Sequence, residues 1–278
     1  MAKRILYAAA PEWRAIGNSI DELIDGPGFD QTKATVRTRA GFLARDGQQA
    51  FVKRVETGGY LKGILARLAG SRARRALRGA EILAAGGFRH PAPLLIVEDR
   101  MLGSIRASYI LTAPLRSAQV LSAVAIGRRR SLALRKKASQ QVAGEIRRLH
   151  DAGIYTRDMQ ETNLMIENRD GEFILYFVDF EDFRRIATVA MRRRMINLVH
   201  LDRSIGRFAP RAHRVRFFYN YLGGRPPRNE ARRLVRQFAA IRARIERRSG
   251  GASRAQAVAA DIVKGNSFGA GLSNIPEK

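Results

Sequence analysis

The stretch that decides the fold is GIYTRDMQETNLMIE, residues 153–167, which places Asp158 and Asn163 five residues apart. Before it, residues 131–151 repeat apolar side chains at helical spacing, with basic residues on the opposite face. After it, the apolar runs NLMIE and FILYFVDF are joined by the turn sequence NRDG and predict a strand hairpin ending near Asp179. The pattern predicts a polar loop held between a helix and two strands.

Three polar side chains in this region form a candidate phosphoryl-transfer site. Asp158 could orient an attacking hydroxyl group or accept its proton, and the amide oxygen of Asn163 could bind a hard cation. Asp179, at a strand end beside the loop, would complete an Mg²⁺ site that leaves positions for phosphate oxygens. Each residue alone would more often be an ordinary turn or cap residue, so the prediction depends on their order and spacing.

The strand-rich beginning of the chain contains a lysine that is a candidate for binding the phosphates of a nucleotide. Between residues 30 and 56, TKATVRTR and QQAFVKRV are separated by RDGQ, a hairpin-type turn sequence. Lys53 follows an apolar pair inside the second strand and could bind nucleotide phosphates, although an exposed lysine on an edge strand is the alternative. SRARRALRGAEILAAGG then predicts a helix that stops at Gly86 or Gly87. PLLIVED and ASYILTAPL predict two further strands.

The order of these elements predicts an α+β protein with three parts. Residues 1–115 are rich in predicted strands and would form a nucleotide-binding lobe, and residues 116–248 are mainly helical and would carry the catalytic loop. Residues 249–278 accumulate Gly, Ser, Ala and Asn, so we expect a flexible tail there.

The charge balance favours anionic partners. The chain has 51 Lys and Arg residues against 25 Asp and Glu, a formal net charge of +26. Nucleic acid, acidic lipid and phosphorylated metabolites all fit this charge, and arginine abundance can also reflect genomic base composition. Arginine clusters at residues 128–137 and 192–207 fit either solvated helix faces or a surface for an anionic membrane. No helix-turn-helix, zinc-finger or aromatic RNA-binding pattern accompanies them, so nucleic acid is the less favoured partner.

Two features that the sequence lacks, cysteine and a long apolar run, bear on the cellular compartment that we expect. The chain has no cysteine, which excludes disulfides, thiolate zinc sites and cysteine nucleophiles. No run of about 18 apolar residues occurs, and the short apolar stretch near the N-terminus is interrupted by Glu12 and Arg14. We therefore expect a cytoplasmic protein, with peripheral contact to an anionic membrane leaflet as a further expectation from the charge.

The catalytic-loop and strand-end sequences resemble the protein-kinase-like superfamily. RDMQETN matches the pattern R-D-x-x-x-x-N, VDFED matches the aspartate of D-F-G, and Lys53 matches the lysine of the third strand. The closer resemblance is to the bacterial lipopolysaccharide kinase family, which phosphorylates Kdo or heptose of the inner core. It extends from about Thr32 to Leu222 and includes SRARRALRGAEILAAGGFRHPAPLL and the region NLVHLDRS to RVRFFYNYL.

The resemblance implies a two-lobed protein-kinase-like fold, with an N-terminal β-rich lobe, a C-terminal mainly helical lobe and ATP in the cleft. It implies these site residues: Asp158 as the catalytic residue, Asn163 and Asp179 as Mg²⁺ ligands, Lys53 and its partner Glu81 at the phosphates, and Thr112, Ala113 and Leu115 at the adenine. The implied acceptor is an anionic sugar of the lipopolysaccharide core, reached at the cytoplasmic face of the inner membrane.

Several departures from the family pattern keep other functions open. Thr156 replaces the usual histidine, Gln160 replaces the lysine of many protein kinases, and Glu181 replaces the glycine of D-F-G. No glycine-rich loop precedes Lys53, and Glu81 is the only acidic residue between Glu56 and Glu98. A pseudokinase or scaffold that binds nucleotide or an anionic partner is therefore one alternative. A kinase that acts on another small molecule or on a protein is a second.

Overall fold

The computed structural model describes residues 2–126 and 131–248. The N-terminal region contains a six-stranded antiparallel sheet with the strand order β1-β5-β6-β4-β3-β2. Its strands are Ala2–Ala8 (β1), Phe29–Ala34 (β2), Thr38–Arg45 (β3), Gln48–Glu56 (β4), Pro93–Met101 (β5) and Ser104–Thr112 (β6). The predicted strands QQAFVKRV, PLLIVED and ASYILTAPL are confirmed as β4, β5 and β6. The prediction of a single strand at TKATVRTR, residues 32–39, is wrong: β2 ends and β3 begins within it, because the N–H of Thr35 donates to the Thr38 carbonyl oxygen at 2.8 Å and closes a turn. Strand β1, which the sequence did not indicate, pairs with β5 at the edge of the sheet.

Helices pack around this sheet. They are Pro11–Ala15 (α1), Ile20–Asp25 (α2), Tyr60–Ala69 (α3) and Arg72–Ala85 (α4). Helix α4 begins where the Ser71 side chain accepts a hydrogen bond from the backbone N–H of Arg74, an N-cap that satisfies one otherwise unpaired donor. It ends at Gly86, and Gly87 follows with φ +68°, so the predicted glycine stop is confirmed.

The C-terminal region is mainly helical, as predicted. Its helices are Leu121–Ile126 (α5), Leu132–Asp151 (α6), Met191–Ile205 (α7), Arg211–Leu222 (α8) and Arg228–Arg248 (α9). Two small sheets lie among them, one with the order β10-β9-β7 and one that pairs β11 with β8. These strands are Ala118–Val120 (β7), Ile154–Thr156 (β8), Leu164–Arg169 (β9), Glu172–Phe177 (β10) and Phe183–Arg185 (β11).

Two tight turns show how local sequence sets these hairpins. Asp46–Gly47 joins β3 to β4, and Asp170–Gly171 joins β9 to β10. All four residues have positive φ, the conformation that two-residue hairpin turns require and that Asp-Gly adopts readily. The predicted RDGQ and NRDG turns are thus confirmed.

A continuous hydrophobic core joins helix α4 to the C-terminal region. Ala76, Ala80 and Leu83 of α4 are buried together with Ile146 of α6 and Phe177 of β10. A second cluster lies between the large sheet and helices α1 and α2. Because α4 shares its core with the strand that precedes Asp179, it fixes the position of that strand end relative to the large sheet.

Two expectations fall on residues outside the described ranges: the basic cluster at Arg128–Arg130 and the tail at 249–278. Within residues 2–126 and 131–248, no helix has the length and apolar character needed to cross a membrane.

Candidate active site

The predicted catalytic loop connects strand β8 to a 3-10 turn. Strand β8 pairs with β11, so that Thr156 lies opposite Phe183. After β8 the chain passes through Asp158 and enters a 3-10 turn at Glu161–Asn163, from which β9 continues directly. Helix α6 reaches β8 through Gly153, which has φ +74° and passes so close to the carbonyl oxygen of Ile186 that a Cβ atom would lie 2.2 Å from it.

Asp158 and Asn163 are in direct contact. The Asn163 side-chain nitrogen donates to the backbone oxygen of Asp158 at 3.0 Å and to its carboxylate Oδ2 at 3.2 Å. Gln160 donates its side-chain N–H to the other carboxylate oxygen, Oδ1. The backbone N–H of Asp158 donates to the hydroxyl of Thr156 at 3.2 Å. Both carboxylate oxygens are thereby oriented, and the loop geometry is defined without a histidine at position 156.

Asp179 lies beside Asn163 because the backbone joins the two. The N–H of Val178 donates to the Asn163 carbonyl oxygen at 3.0 Å, which attaches the end of β10 to the catalytic loop. Asp179 itself has φ 57° and ψ 54°. A non-glycine residue in this left-handed conformation is uncommon, and such residues often occur at functional sites. The conformation turns the chain immediately after the hydrophobic strand.

Lys53 brings the large sheet to the same place. It lies on β4, between Ala40 on β3 and Ile110 on β6, and its Nζ lies 2.8 Å from Asp179 Oδ1 and 2.7 Å from Glu181 Oε1. Burial alone would lower the pKa of Lys53, but the charges of Asp179 and Glu181 and their hydrogen bonds outweigh it and raise the pKa. Lys53 is therefore a permanently charged cation in the interior of the sheet, not at its edge.

The acidic partner of Lys53 is not the one predicted. Glu81 lies on the exposed face of α4, and the ion pairs of Lys53 in the described structure are with Asp179 and Glu181. Glu181 is buried and also accepts a hydrogen bond from Arg72 at 2.9 Å. The sequence carried one signal for this role, an acidic residue directly after VDF where the family pattern has glycine.

The packing of α4 explains why its own glutamate does not reach Lys53. Gly79 faces the 3-10 turn Phe180–Asp182, and a Cβ atom on Gly79 would lie 1.8 Å from the Phe180 carbonyl oxygen. Ala76 and Ala80 on the same side of the helix are buried. The helix therefore approaches the turn so closely that only small side chains fit between them. The turn, not the helix, supplies the carboxylate.

The residues predicted to contact adenine lie where the large sheet ends. Thr112 is buried at the end of β6 and pairs with Phe51 and Pro93. The N–H of Ala113 donates to the Ala92 carbonyl oxygen at 2.8 Å, so this donor is used within the protein. Leu115 is half-buried in the segment that leads to β7. This segment joins the large sheet to the sheet that contains β9.

A buried polar network, which the sequence did not indicate, holds the end of β8 from which the catalytic loop begins. Asn197 on α7 donates to the Thr156 carbonyl oxygen at 2.6 Å, and its side-chain oxygen lies 3.0 Å from His150 Nε2. His150 Nδ1 lies 2.8 Å from the Tyr221 hydroxyl. Burial lowers the pKa of His150 to about 4, so this imidazole is neutral and structural.

The oxygen donors at the site fit Mg²⁺. The Asn163 amide nitrogen is held by Asp158, which leaves the amide oxygen as a ligand, and the Lys53 contact uses only Oδ1 of the Asp179 carboxylate. Across residues 2–126 and 131–248, no three His, Cys, Asp or Glu side chains cluster to hold a metal by themselves. An ion held by Asn163 and Asp179 would therefore take its other ligands from phosphate and water, as Mg²⁺ commonly does.

Comparisons with known proteins identify the family of the chain and its fold. The model of the lipopolysaccharide kinase (Kdo/WaaP) family matches residues 32–221, more than half of the chain. A solved structure described as WaaP in complex with acyl carrier protein superposes with a TM-score of 0.62 at 20% identity, covering 89% of this chain and 98% of that chain. No curated protein sequence matches the chain significantly. The predicted kinase-like α+β fold is confirmed. The protein is thus a kinase, and the chain belongs to the lipopolysaccharide kinase (Kdo/WaaP) family.

Proposed function

We propose that the protein transfers the γ-phosphoryl group of ATP, with Mg²⁺, to a hydroxyl group of a sugar in the lipopolysaccharide inner core. The observation that carries this proposal is a continuous chain of contacts among three segments: strand β4, the end of β10 and the catalytic loop. Lys53 contacts Asp179, the N–H of Val178 is hydrogen-bonded to Asn163, and the Asn163 side chain is hydrogen-bonded to Asp158. The lysine proposed to bind the nucleotide, the two proposed metal ligands and the proposed catalytic carboxylate therefore lie at one site. Family membership supplies the class of acceptor.

The nucleotide would lie between an N-terminal lobe of residues 1–115 and a C-terminal lobe of residues 116–248. Lys53 would bind the α- and β-phosphates, and the segment Thr112–Leu115 would lie against adenine. Phosphate binding requires Lys53 to keep its orientation when Asp179 turns toward a metal. Glu181 is placed to maintain it, because the carboxylate contacts Lys53 and is itself held by Arg72.

The metal would be held by Asn163 and Asp179. Bound Mg²⁺ supplies charge neutralisation for the phosphates during transfer. The protein's contribution is to aim the two ligands, through the Asn163–Asp158 hydrogen bond and the left-handed conformation of Asp179.

Asp158 would orient the acceptor hydroxyl and take its proton as the new O–P bond forms and the bond to the β,γ-bridging oxygen breaks. The products are a sugar phosphate and ADP, and the proton of the acceptor hydroxyl is then bound to the Asp158 carboxylate. Gln160 and Asn163 hold one oxygen each, so the carboxylate does not need to be reoriented when the acceptor arrives.

An anionic acceptor would find arginine side chains on the α7 side of the catalytic loop. His200 and Arg203 lie on α7, and the Asp158 charge acts on His200. Burial and the charge of Arg203 lower the pKa of His200, so the arginine and not the histidine carries the positive charge there. Arg207 lies near the buried Glu161 of the catalytic loop. We assign the acceptor to this side of the loop, where arginine side chains can pair with carboxylate or phosphate groups. The enzyme would act at the cytoplasmic face of the inner membrane, in peripheral contact with its anionic lipids.

A turnover assay tests the proposal. Purified protein, Mg²⁺ and radiolabelled ATP are incubated with deacylated inner-core oligosaccharide, with other sugars and with a generic protein substrate. We expect transfer of label to the oligosaccharide alone, and loss of that transfer in Asp158→Asn. Nucleotide binding without transfer to any acceptor would contradict the proposal and favour a scaffold. Label on the protein substrate would indicate a protein kinase.

A further inference from the structure

Helix α3 carries its apolar side chains outward. Leu61, Leu65 and Leu68 occur at intervals of four and three residues, which places them on one face of the helix. Their exposed fractions are 75%, 63% and 79%. The opposite side of the helix is the packed one, since Gly63 is buried and a Cβ atom there would lie 1.9 Å from Ser104 Oγ. The leucine face is therefore turned to solvent by the packing itself.

A fourth leucine lies beside this helix, at the β5–β6 turn. Leu102 is 84% exposed, and its carbonyl oxygen accepts a hydrogen bond from the Tyr60 hydroxyl at 3.1 Å. Arg67 donates to the carbonyl oxygen of the next residue, Gly103, at 3.0 Å. The turn is thus held against α3 near its start and at Arg67. We call Leu61, Leu65, Leu68 and Leu102 the leucine platform.

The backbone conformation at Leu102 does not favour leucine, so the formation of the turn does not explain this residue. Leu102 and Gly103 have φ +46° and +78°, as in the Asp46–Gly47 and Asp170–Gly171 turns. The first position of such a turn favours Asp, Asn or Gly, and a bulky residue with positive φ is an outlier. Two turns of this chain have the favoured residue, and this one replaces it with an exposed leucine. The local strain and the exposure both point to an external contact.

The charges around the leucine platform indicate which kind of partner the surface fits. Lys62 lies about 90° from the centre of the leucine face on one side, and Arg67 lies about 130° from it on the other. From Thr57 to Ala80 the chain has six Lys or Arg residues and no Asp or Glu. An apolar helix face bordered by basic residues is typical of helices that lie in the interface of an anionic membrane. A second copy of the same surface would bring like charges together, in a chain whose net charge is +26.

We propose that the leucine platform seats the protein on an anionic lipid surface, with Lys62 and Arg67 at the headgroups. This rests on the proposed location of the enzyme at the inner membrane, but not on its catalytic step. The surface differs from the arginine clusters that the sequence indicated, and part of those clusters is engaged within the protein: Lys137 pairs with Glu172, and Arg194 pairs with Asp151.

Vesicle flotation tests the proposal with variants that should keep the fold. Leu61→Gln/Leu65→Gln retains good helix formers at exposed positions. Leu102→Asn suits the positive φ and leaves the backbone contacts intact. Val36→Ser is the matched control, since Val36 is 95% exposed and lies in the loop between β2 and β3. Binding is measured to vesicles of phosphatidylethanolamine with phosphatidylglycerol, and to vesicles of phosphatidylcholine alone.

We expect the wild type and Val36→Ser to bind the anionic vesicles and to bind the neutral ones weakly. The double leucine variant should lose about tenfold or more in partition coefficient, and Leu102→Asn should also bind less while unfolding at the same or a higher temperature. A wild type that does not bind, or a double variant that binds as well as the wild type, would overturn the proposal. A wild-type dimer that becomes a monomer in the double variant would also overturn it, in favour of contact between copies.

The same variants separate this proposal from the kinase function. Turnover with the deacylated oligosaccharide should be unchanged in Leu61→Gln/Leu65→Gln, while turnover with the acceptor embedded in vesicles should fall. If no acceptor is phosphorylated but the platform variants still lose vesicle binding, the kinase proposal fails and the docking surface stands. If transfer occurs and vesicle binding is insensitive to the platform, the reverse holds.

Discussion

Lys53 Nζ lies 2.7 Å from Glu181 Oε1, a carboxylate supplied two residues after Asp179 and not by helix α4. The first prediction follows from this pair. Glu181→Gln keeps the shape of the side chain but removes the charge that orients Lys53. We expect the KM for ATP to rise about tenfold, because a hydrogen bond to a charged group contributes about 1.5 kcal/mol or more.

Glu81→Gln is the matched control for this variant, since Glu81 is exposed on α4. Its steady-state kinetics should match those of the wild type. A loss in Glu81→Gln that equals the loss in Glu181→Gln would mean that α4 moves to bring its glutamate to Lys53 when nucleotide binds.

The second prediction concerns Asp158, the proposed proton acceptor. Asp158→Asn should lower kcat by about 10²- to 10⁴-fold, because the amide can accept a hydrogen bond but cannot take the acceptor's proton. Equilibrium binding of ATP, measured by calorimetry, should be within about twofold of the wild type. Asp170→Asn, in the β9–β10 turn where Asn is tolerated at positive φ, is the control and should retain full turnover.

The third prediction concerns the proposed metal ligands. Asp179→Asn weakens a carboxylate ligand, so the Mg²⁺ concentration for half-maximal activity should rise at least about tenfold. The affinity for ATP measured without Mg²⁺ should change much less, since the phosphates then depend on Lys53. Equal losses of ATP affinity with and without Mg²⁺ would contradict a metal role and leave Asp179 as only a partner of Lys53.

A fourth prediction concerns the close approach of α4 to the turn after Asp179. Gly79→Ala places a Cβ atom 1.8 Å from the Phe180 carbonyl oxygen. The turn or the helix must move, so we expect a loss of about 1–3 kcal/mol in the free energy of unfolding and reduced turnover. Gly144→Ala on α6 meets no atom within 4 Å and should instead stabilise the helix by about 0.5–1 kcal/mol. Urea denaturation of the two variants makes the comparison.

The fifth prediction is a pH dependence of stability from His150. Its pKa in the folded protein is about 4, below the ordinary value of 6.5, so the unfolded chain binds the proton first as the pH falls. Its contribution to the free energy of unfolding is therefore complete above pH 6.5. It falls as the pH drops from 6.5 to 4, by about 3 kcal/mol in total.

His150→Gln can still bond to Tyr221 and Asn197 but does not titrate. Urea denaturation between pH 7 and 5 should show a shallower loss of stability in this variant than in the wild type. His213→Gln on α8 is the control and should follow the wild-type curve. Parallel curves for His150→Gln and the wild type would show that the imidazole does not control the acid sensitivity.

Much of the fold could be predicted because its signals are local. Asp-Gly at two turns, Ser71 and Gly86 at the ends of α4, and alternating or helical spacing of apolar residues each act through the nearest few residues. Strand β1 gave no comparable signal, since its pairing with β5 depends on residues about 90 positions away in the chain. Helix α3 was missed for a related reason: its apolar face is exposed, so its pattern does not mark a core.

The sequence by itself determined which chemical groups are present and in what order: Lys53 on a strand, Asp158 and Asn163 at loop spacing, and Asp179 at a strand end. These motifs are short, and their geometry follows from bonds between near neighbours, such as the Asn163–Asp158 hydrogen bond. Tertiary structure decided which carboxylate meets Lys53, because the small side chains of α4 let the helix approach the turn that carries Glu181. It also decided that His150, Asn197 and Tyr221 support the loop, since these residues come from three helices that meet only in the packed core.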